Sequence, residues 1–147
     1  MHNDIQRVIR ELLNRQKVGV LATQADLQPY CNLIAFTPAE DLRILLFTTP
    51  RATQKYRNLV RNPQVAFLVD NRSESGIDFS SGIAVTALGR VTEAAPEQSI
   101  ILKQQHCSRH TILYDFINDP GCAVFQLQVS TYILVSGISD TRTLAMR

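Results

Sequence analysis

The sequence predicts a mainly β fold: a six-stranded antiparallel barrel, closed or nearly closed, with helices plugging or flanking it. Two observations carry the prediction. Six runs have strand composition while helical stretches are few, and the strand runs are long and apolar. Closing such a sheet removes the exposed edges that flat sheets leave open.

The elements follow in order. Ile5, Val8, Ile9, Leu12 and Leu13 recur at helical spacing and predict a helix over about Asp4 to Gln16, opened by an Asn3–Gln6 capping pair. Val18 to Thr23, Tyr30 to Phe36 and Arg43 to Thr49 are strands joined by short polar turns, so a meander of neighbours is the economical topology. A helix from Thr53 to Arg61 ends at Asn62-Pro63, as a residue before proline requires. Gln64 to Asp70 is apolar on both faces and belongs inside the sheet. A polar loop spans Asn71 to Gly82, and its charges, Asp70, Arg72, Glu74 and Asp78, read as solvated. Ile83 to Thr92 is a strand with a bulge or curve at Gly89. Pro96 opens a helix to about Cys107, a helical piece covers Thr111 to Asn118, and a long strand covers Ala123 to Val135, bent near Ser130. The polar tail from Ser136 to Arg147 is expected to order only against a partner.

Bulk properties bound the function. A chain of 147 residues suits one domain with a real core. A formal net charge of +2 gives no argument for nucleic acid or an anionic membrane. The longest apolar runs are far too short to span a bilayer, and the start, Met1-His2-Asn3-Asp4, lacks the order of a secretion signal. The expectation is a cytoplasmic protein. Cys31, Cys107 and Cys122 are odd in number and widely spaced, which fits reduced thiols rather than disulfides or a zinc site. Cys31 and Cys122 lie in strand-like runs and read as small buried hydrophobes.

The stretch richest in chemistry is Phe47-Thr48-Thr49-Pro50-Arg51-Ala52-Thr53-Gln54-Lys55. An apolar strand runs into two threonines, a short basic loop and a helix start. Thr53 is placed to cap that helix, whose first-turn amides point outward, and Arg51 and Lys55 add positive charge. A phosphate there would meet backbone donors, a hydroxyl and two cations. A capped helix with solvated basic residues has the same pattern. Arg57 lies a turn further on and reads as surface.

Three segments, in order and at their spacing, resemble the pyridoxamine 5'-phosphate oxidase-like flavin-binding split barrels. They are Val20-Leu21-Ala22-Thr23 with Gln28-Pro29-Tyr30; Leu46-Phe47-Thr48-Thr49 with Thr53-Gln54-Lys55 and Asn62-Pro63-Gln64-Val65-Ala66; and Ala87-Leu88-Gly89-Arg90-Val91. The resemblance covers the chain from the first helix to Val135 and implies one split-barrel domain of the FMN-binding type over residues 1–147. It implies FMN in a groove at a homodimer interface, with the ring against Leu33, Ile34 and Ala35. Thr48 and Thr49 would line the ribityl and phosphate end. Thr53, Gln54 and Lys55 match the family's serine-arginine-lysine segment with the arginine replaced, and Arg51 would restore the missing cation. The true oxidase carries an arginine and a lysine on the second strand; the matching positions here are Asn32 and Thr37. Its tryptophan-bearing C-terminal segment has no counterpart. Short split barrels include flavin reductases, deazaflavin-dependent reductases and haem-handling proteins.

The expected function is therefore FMN-dependent oxidoreduction on an unnamed substrate. The alternatives are a flavin- or haem-binding store, sensor or carrier, and a barrel that has lost its cofactor and serves as a dimeric interaction module. His106 and His110 stand four apart on a helix, a spacing two metal ligands can share, yet no acidic third ligand accompanies them. No metal site is assigned; they read as cationic residues at a helix C-terminus. Tyr30 and Tyr132 are strand tyrosines that could stack on a ring but more simply pack.

Overall fold

The computed structural model describes residues 2–147. Helix α1 (His2–Arg15) buries Ile9, Leu12 and Leu13. Asn3 lies within it rather than ahead of it, so the expected Asn3–Gln6 cap is not the helix start; position 1 is outside the described residues. Strands β1 (Val18–Ala25), β2 (Gln28–Ala35), β3 (Thr37–Pro38) and β4 (Ile44–Pro50) lead to α2 (Gln54–Arg61). Then come β5 (Gln64–Asp70), β6 (Ile83–Glu93), α3 (Pro96–Arg109), a 3-10 turn (Thr111–Leu113), α4 (Tyr114–Asn118), β7 (Cys122–Ser136) and β8 (Asp140–Ala145).

The strands form one antiparallel sheet in the order β2-β1-β5-β6-β7-β4-β3, with β8 beside β7. The sheet curls until its two ends are neighbours in sequence, because Phe36 alone separates β2 from β3. The barrel is thus nearly closed, as expected, but has eight strands rather than six. The two unforeseen strands are the two-residue β3 and β8, whose polar sequence hides its strand character. The tail does not wait for a partner: Asp140–Ala145 pairs with Thr131–Ser136 of its own chain.

The expected meander fails at its third strand. β4 pairs with β7 over seven residues and meets the preceding strand only through the two-residue β3. The turn at Ala39–Leu42 forces this, since Leu42 has φ 65° and its carbonyl is held by the Tyr132 hydroxyl at 2.6 Å. Tyr132 is fully buried and is a packing residue, while Tyr30 stays partly exposed.

β7 changes partners halfway along, from β4 to β8, and the bend sits at Ser130. There Leu88 faces Thr131 while Gly89 faces Val129, so Ser130 is the unpaired bulge residue; its hydroxyl donates to Leu88 O at 3.0 Å. A Cβ on Gly89 would collide with the Gln128 carbonyl. Gly89→Ala is therefore expected to lower stability by about 1–3 kcal/mol, read as an earlier urea midpoint with unchanged slope. An unchanged midpoint would contradict the close approach. Among the described residues no helix is long and apolar enough to cross a membrane.

Candidate functional site

β4 delivers the chain to the basic loop with both of its threonines buried: Thr48 is 4% exposed and Thr49 0%. Thr49 Oγ1 lies 3.5 Å from Thr53 Oγ1, and Thr48 sits beside the buried Cys122 thiol. Burial chiefly raises the pKa of that thiol, so Cys122 is a protonated, inert packing group. The Thr49 hydroxyl braces the loop from beneath.

Thr53 caps α2 as expected. Its hydroxyl accepts from the Tyr56 amide at 3.1 Å and donates to Pro50 O at 2.9 Å. The amides of Gln54 and Lys55 head the helix beyond that cap, in the position where a helix end binds anions. The Gln54 side chain bonds Asn58 Oδ1 at 2.8 Å, and the Asn58 amide donates to Thr23 Oγ1 at 3.1 Å. Asn58 is 2% exposed and ties α2 to the β1–β2 hairpin. No local pattern marks Asn58, because its partner is thirty-five residues away.

The two cations differ. Arg51 is committed: its guanidinium donates to Pro120 O at 3.0 Å and pairs with Glu93 at 3.2 Å, a carboxylate also held by the Tyr56 hydroxyl at 2.7 Å. Lys55 is half-buried and has no hydrogen-bonding or ion-pair partner among the described residues. Burial lowers its pKa, and no carboxylate offsets that. A cation held out of water without an anion is a site that a dianion would satisfy. Arg57 is exposed and donates to Gln54 Oε1.

The other wall is β2. It pairs with β1 on one side only, so alternate backbone groups along its outer edge are unpaired within the sheet. Beyond Phe36 the same chain pairs with β4, so β2 and β4 part where the chain leaves β4 for β1. Ile34 points inward at 7% exposure, Leu33 outward at 71%, and Ala35 is intermediate. Asn32 shares the inward face of Ile34, and its Oδ1 is buried with no partner among the described residues. The structure thus places Thr48, Thr49, Arg51, Thr53, Gln54 and Lys55 in one strand–loop–helix unit and Leu33, Ile34 and Ala35 on the edge strand across the split. The chemistry of this donor set, an unpaired lysine with helix amides on one element and edge-strand backbone on the other, fits a ligand that carries a phosphate and a hydrogen-bonding ring.

The histidine pair lies elsewhere and is not cationic. His106 Nδ1 is 2.8 Å from Thr37 Oγ1, and His110 Nε2 donates to Phe36 O at 2.7 Å. Burial chiefly, with the Arg109 charge and the repulsion a protonated His110 would add, pushes His106 down to about 4, and burial also lowers His110. Both are neutral clamps on the β2–β3 junction, which corrects the helix-terminus expectation. Arg109 joins them, donating to Phe36 O at 3.1 Å and to Leu13 O and Gln16 O at the end of α1. Among the described residues no group of three metal-ligating side chains forms. Cys31 is exposed, against expectation, because its strand is the sheet edge and it faces outward.

No curated protein sequence matches the chain. Solved structures do. A haem-binding protein from Mycobacterium smegmatis superposes with TM-score 0.81 at 16% identity over 92% of this chain and 55% of that one. The haem storage protein HutZ of Vibrio cholerae gives TM-score 0.72 at 18% identity over 95% and 93%. An FAD-binding protein from Mesorhizobium loti gives 0.68 at 20% identity over 85% and 89%. This chain therefore spans about half the length of the first of these. At such identities the likeness establishes the split-barrel fold. The model of the family described as pyridoxamine 5'-phosphate oxidase matches residues 5–135, from α1 to the end of β7, and the chain belongs to that family.

Proposed function

We propose that this protein binds FMN in the split between β2 and the β4–α2 loop, as a cytoplasmic homodimer, and uses it in electron transfer to or from a small substrate. The observation that carries the reading is Lys55, a half-buried cation without an anion at the N-terminus of a capped helix. The FMN phosphate would sit on Lys55 and the Gln54 and Lys55 amides, with Thr53 and Thr49 fixing the loop. The ring would lie along Leu33, Ile34 and Ala35, where edge-strand backbone groups can hydrogen-bond it. When bound, the flavin supplies the redox chemistry; the chain supplies position and polarity.

The dimer reading rests on the outward face of the sheet. The registers set Leu33, Val20, Leu68, Thr86 and Ile133 side by side in a row across five strands. Leu33, at 71% exposure, is the open end of that row. A second copy would cover it and bring further groups to the cleft.

A second reading, a haem- or flavin-holding protein without turnover, is favoured by the haem-binding neighbours. Against axial ligation by His106 or His110 stands the commitment of both to the β2–β3 junction. Absorbance of purified protein loaded with FMN, then NADH or NADPH, then an acceptor, separates the readings. The enzyme reading expects bleaching by the nicotinamide and recovery with the acceptor. A Soret band with haem and no flavin uptake would overturn it.

A further inference from the structure

A groove of about 750 Å³ lies along the outward face of the sheet. Two successive rows of outward residues build it. Ala22, Ala66 and Leu88 stand side by side on β1, β5 and β6 and form an apolar floor. One step further along the same strands, about 6.5 Å, come Gln24, Gln64 and Arg90, and Gln128 of β7 completes that row. Gln64 and Gln128 face Arg90 from its two sides, at the roughly 5 Å spacing of cross-strand pairs.

Arg90 is the one charged group of the lining. Among the described residues it has no hydrogen-bonding or ion-pair partner, and neither do the side chains of Gln24, Gln64 and Gln128. Every other arginine except the C-terminal Arg147 pairs with a carboxylate or donates to a carbonyl oxygen. A solvated strand face gains by setting opposite charges across from one another. This row instead sets uncommitted amides beside a lone cation, above a floor that carries no charge.

The lining names the chemistry of what it would hold. A guanidinium takes a carboxylate through two parallel hydrogen bonds. A single cation matches a monoanion, whereas a phosphate dianion is better met by the lysine and helix amides of α2. The flanking amides both donate and accept, so they serve the outer lone pairs of a carboxylate. Ala22, Ala66 and Leu88 leave room for hydrocarbon beside it. We infer that this groove binds a small monocarboxylate with an apolar body, its carboxylate on Arg90 and its body over the alanine floor. The inference stands apart from the flavin reading, because neither Leu33–Ala35 nor the segment from Thr48 to Lys55 lines the groove.

Benzoate, benzamide and acetate test it, each titrated into the isotope-labelled protein at low ionic strength and followed by backbone amide shifts. Benzamide keeps the ring without the charge, and acetate keeps the charge without the ring. The expected result is saturable shifts with benzoate at Ala22, Ala66, Leu88 and Arg90, with benzamide and acetate each bound about tenfold more weakly. Arg90→Gln should bring benzoate down to the level of benzamide and leave benzamide unchanged. Ala66→Leu, which fills the floor, should weaken both alike. Several results would each overturn the assignment: benzoate bound no better than benzamide, undiminished benzoate affinity in Arg90→Gln, or shifts centred on the start of α2. Groove shifts that follow protein concentration instead of benzoate would overturn it too, and would seat a second copy there. The comparison of benzoate with benzamide is made on the parent protein, so it decides even where a variant fails to fold. Its failure leaves FMN binding at Lys55 untouched.

Discussion

Replacing Lys55 with alanine is expected to weaken FMN binding by roughly 10- to 100-fold, from a charge-assisted contact of about 1.5–3 kcal/mol, while riboflavin loses little. The difference between the two ligands is the phosphate, so their ratio isolates the anion site from the ring site. Arg51→Ala should act less on binding, because Glu93 already neutralises that guanidinium at 3.2 Å. Its other contact, with Pro120 O, ties the β4–α2 loop to the turn before β7, so its loss should show in stability as well. The double variant should bind FMN no better than riboflavin. Equal losses for both ligands on Lys55→Ala would place the phosphate elsewhere. The measurement is a pair of fluorescence titrations at fixed ionic strength, since charge contacts at a half-exposed site are screened by salt.

The second large effect is acid destabilisation through His106. Folding holds this imidazole at about 4, against 6.5 when free, because it is 1% exposed and faces His110, Arg109 and the Thr37 hydroxyl. Between those values the unfolded chain binds a proton that the native state excludes. Stability therefore falls as pH drops from 6.5 towards 4, by roughly 3 kcal/mol in all, at up to about 1.4 kcal/mol per pH unit. His110, whose pKa is also lowered, adds in the same direction. Urea unfolding of the parent and of His106→Asn across that window checks this. The variant's stability should decline less steeply with acid, whatever its absolute stability at neutral pH. Parallel curves would contradict a neutral, buried His106. Because His106 and His110 clamp the β2–β3 junction, the same acidification should loosen the cleft and release flavin.

The parts of this account legible in the sequence are those with local causes. Thr53 caps α2 because a hydroxyl followed three residues later by a helical amide needs no distant partner. Asn62-Pro63 stops the helix for an equally local reason, and Gly89 announced the bulge because only glycine admits the Gln128 carbonyl so closely. The unforeseen parts depend on partners far along the chain. β4 joins β7 because the turn before it is locked by Tyr132, ninety residues away. β8 is polar because one of its faces is open, and only pairing with β7 identifies it. Lys55 and Arg51 look alike in the sequence; Glu93, forty-two residues from Arg51, separates them. At a solvated helix end His106 and His110 would carry charge; here both are buried and bonded to the β2–β3 junction, which keeps them neutral. Asn32 enters the sequence reading only as the position that matches the oxidase's arginine; that its Oδ1 is buried without a partner among the described residues shows only once every neighbour is in place.

The central claim is that a phosphate docks where β4 hands over to α2. A crystal structure of the protein with FMN tests it most directly. Phosphate density is expected at the Gln54 and Lys55 amides, within hydrogen-bonding reach of Lys55 Nζ, with the ring beside Leu33–Ala35. Phosphate density away from α2, or a cleft closed by side chains in the presence of saturating FMN, would contradict it.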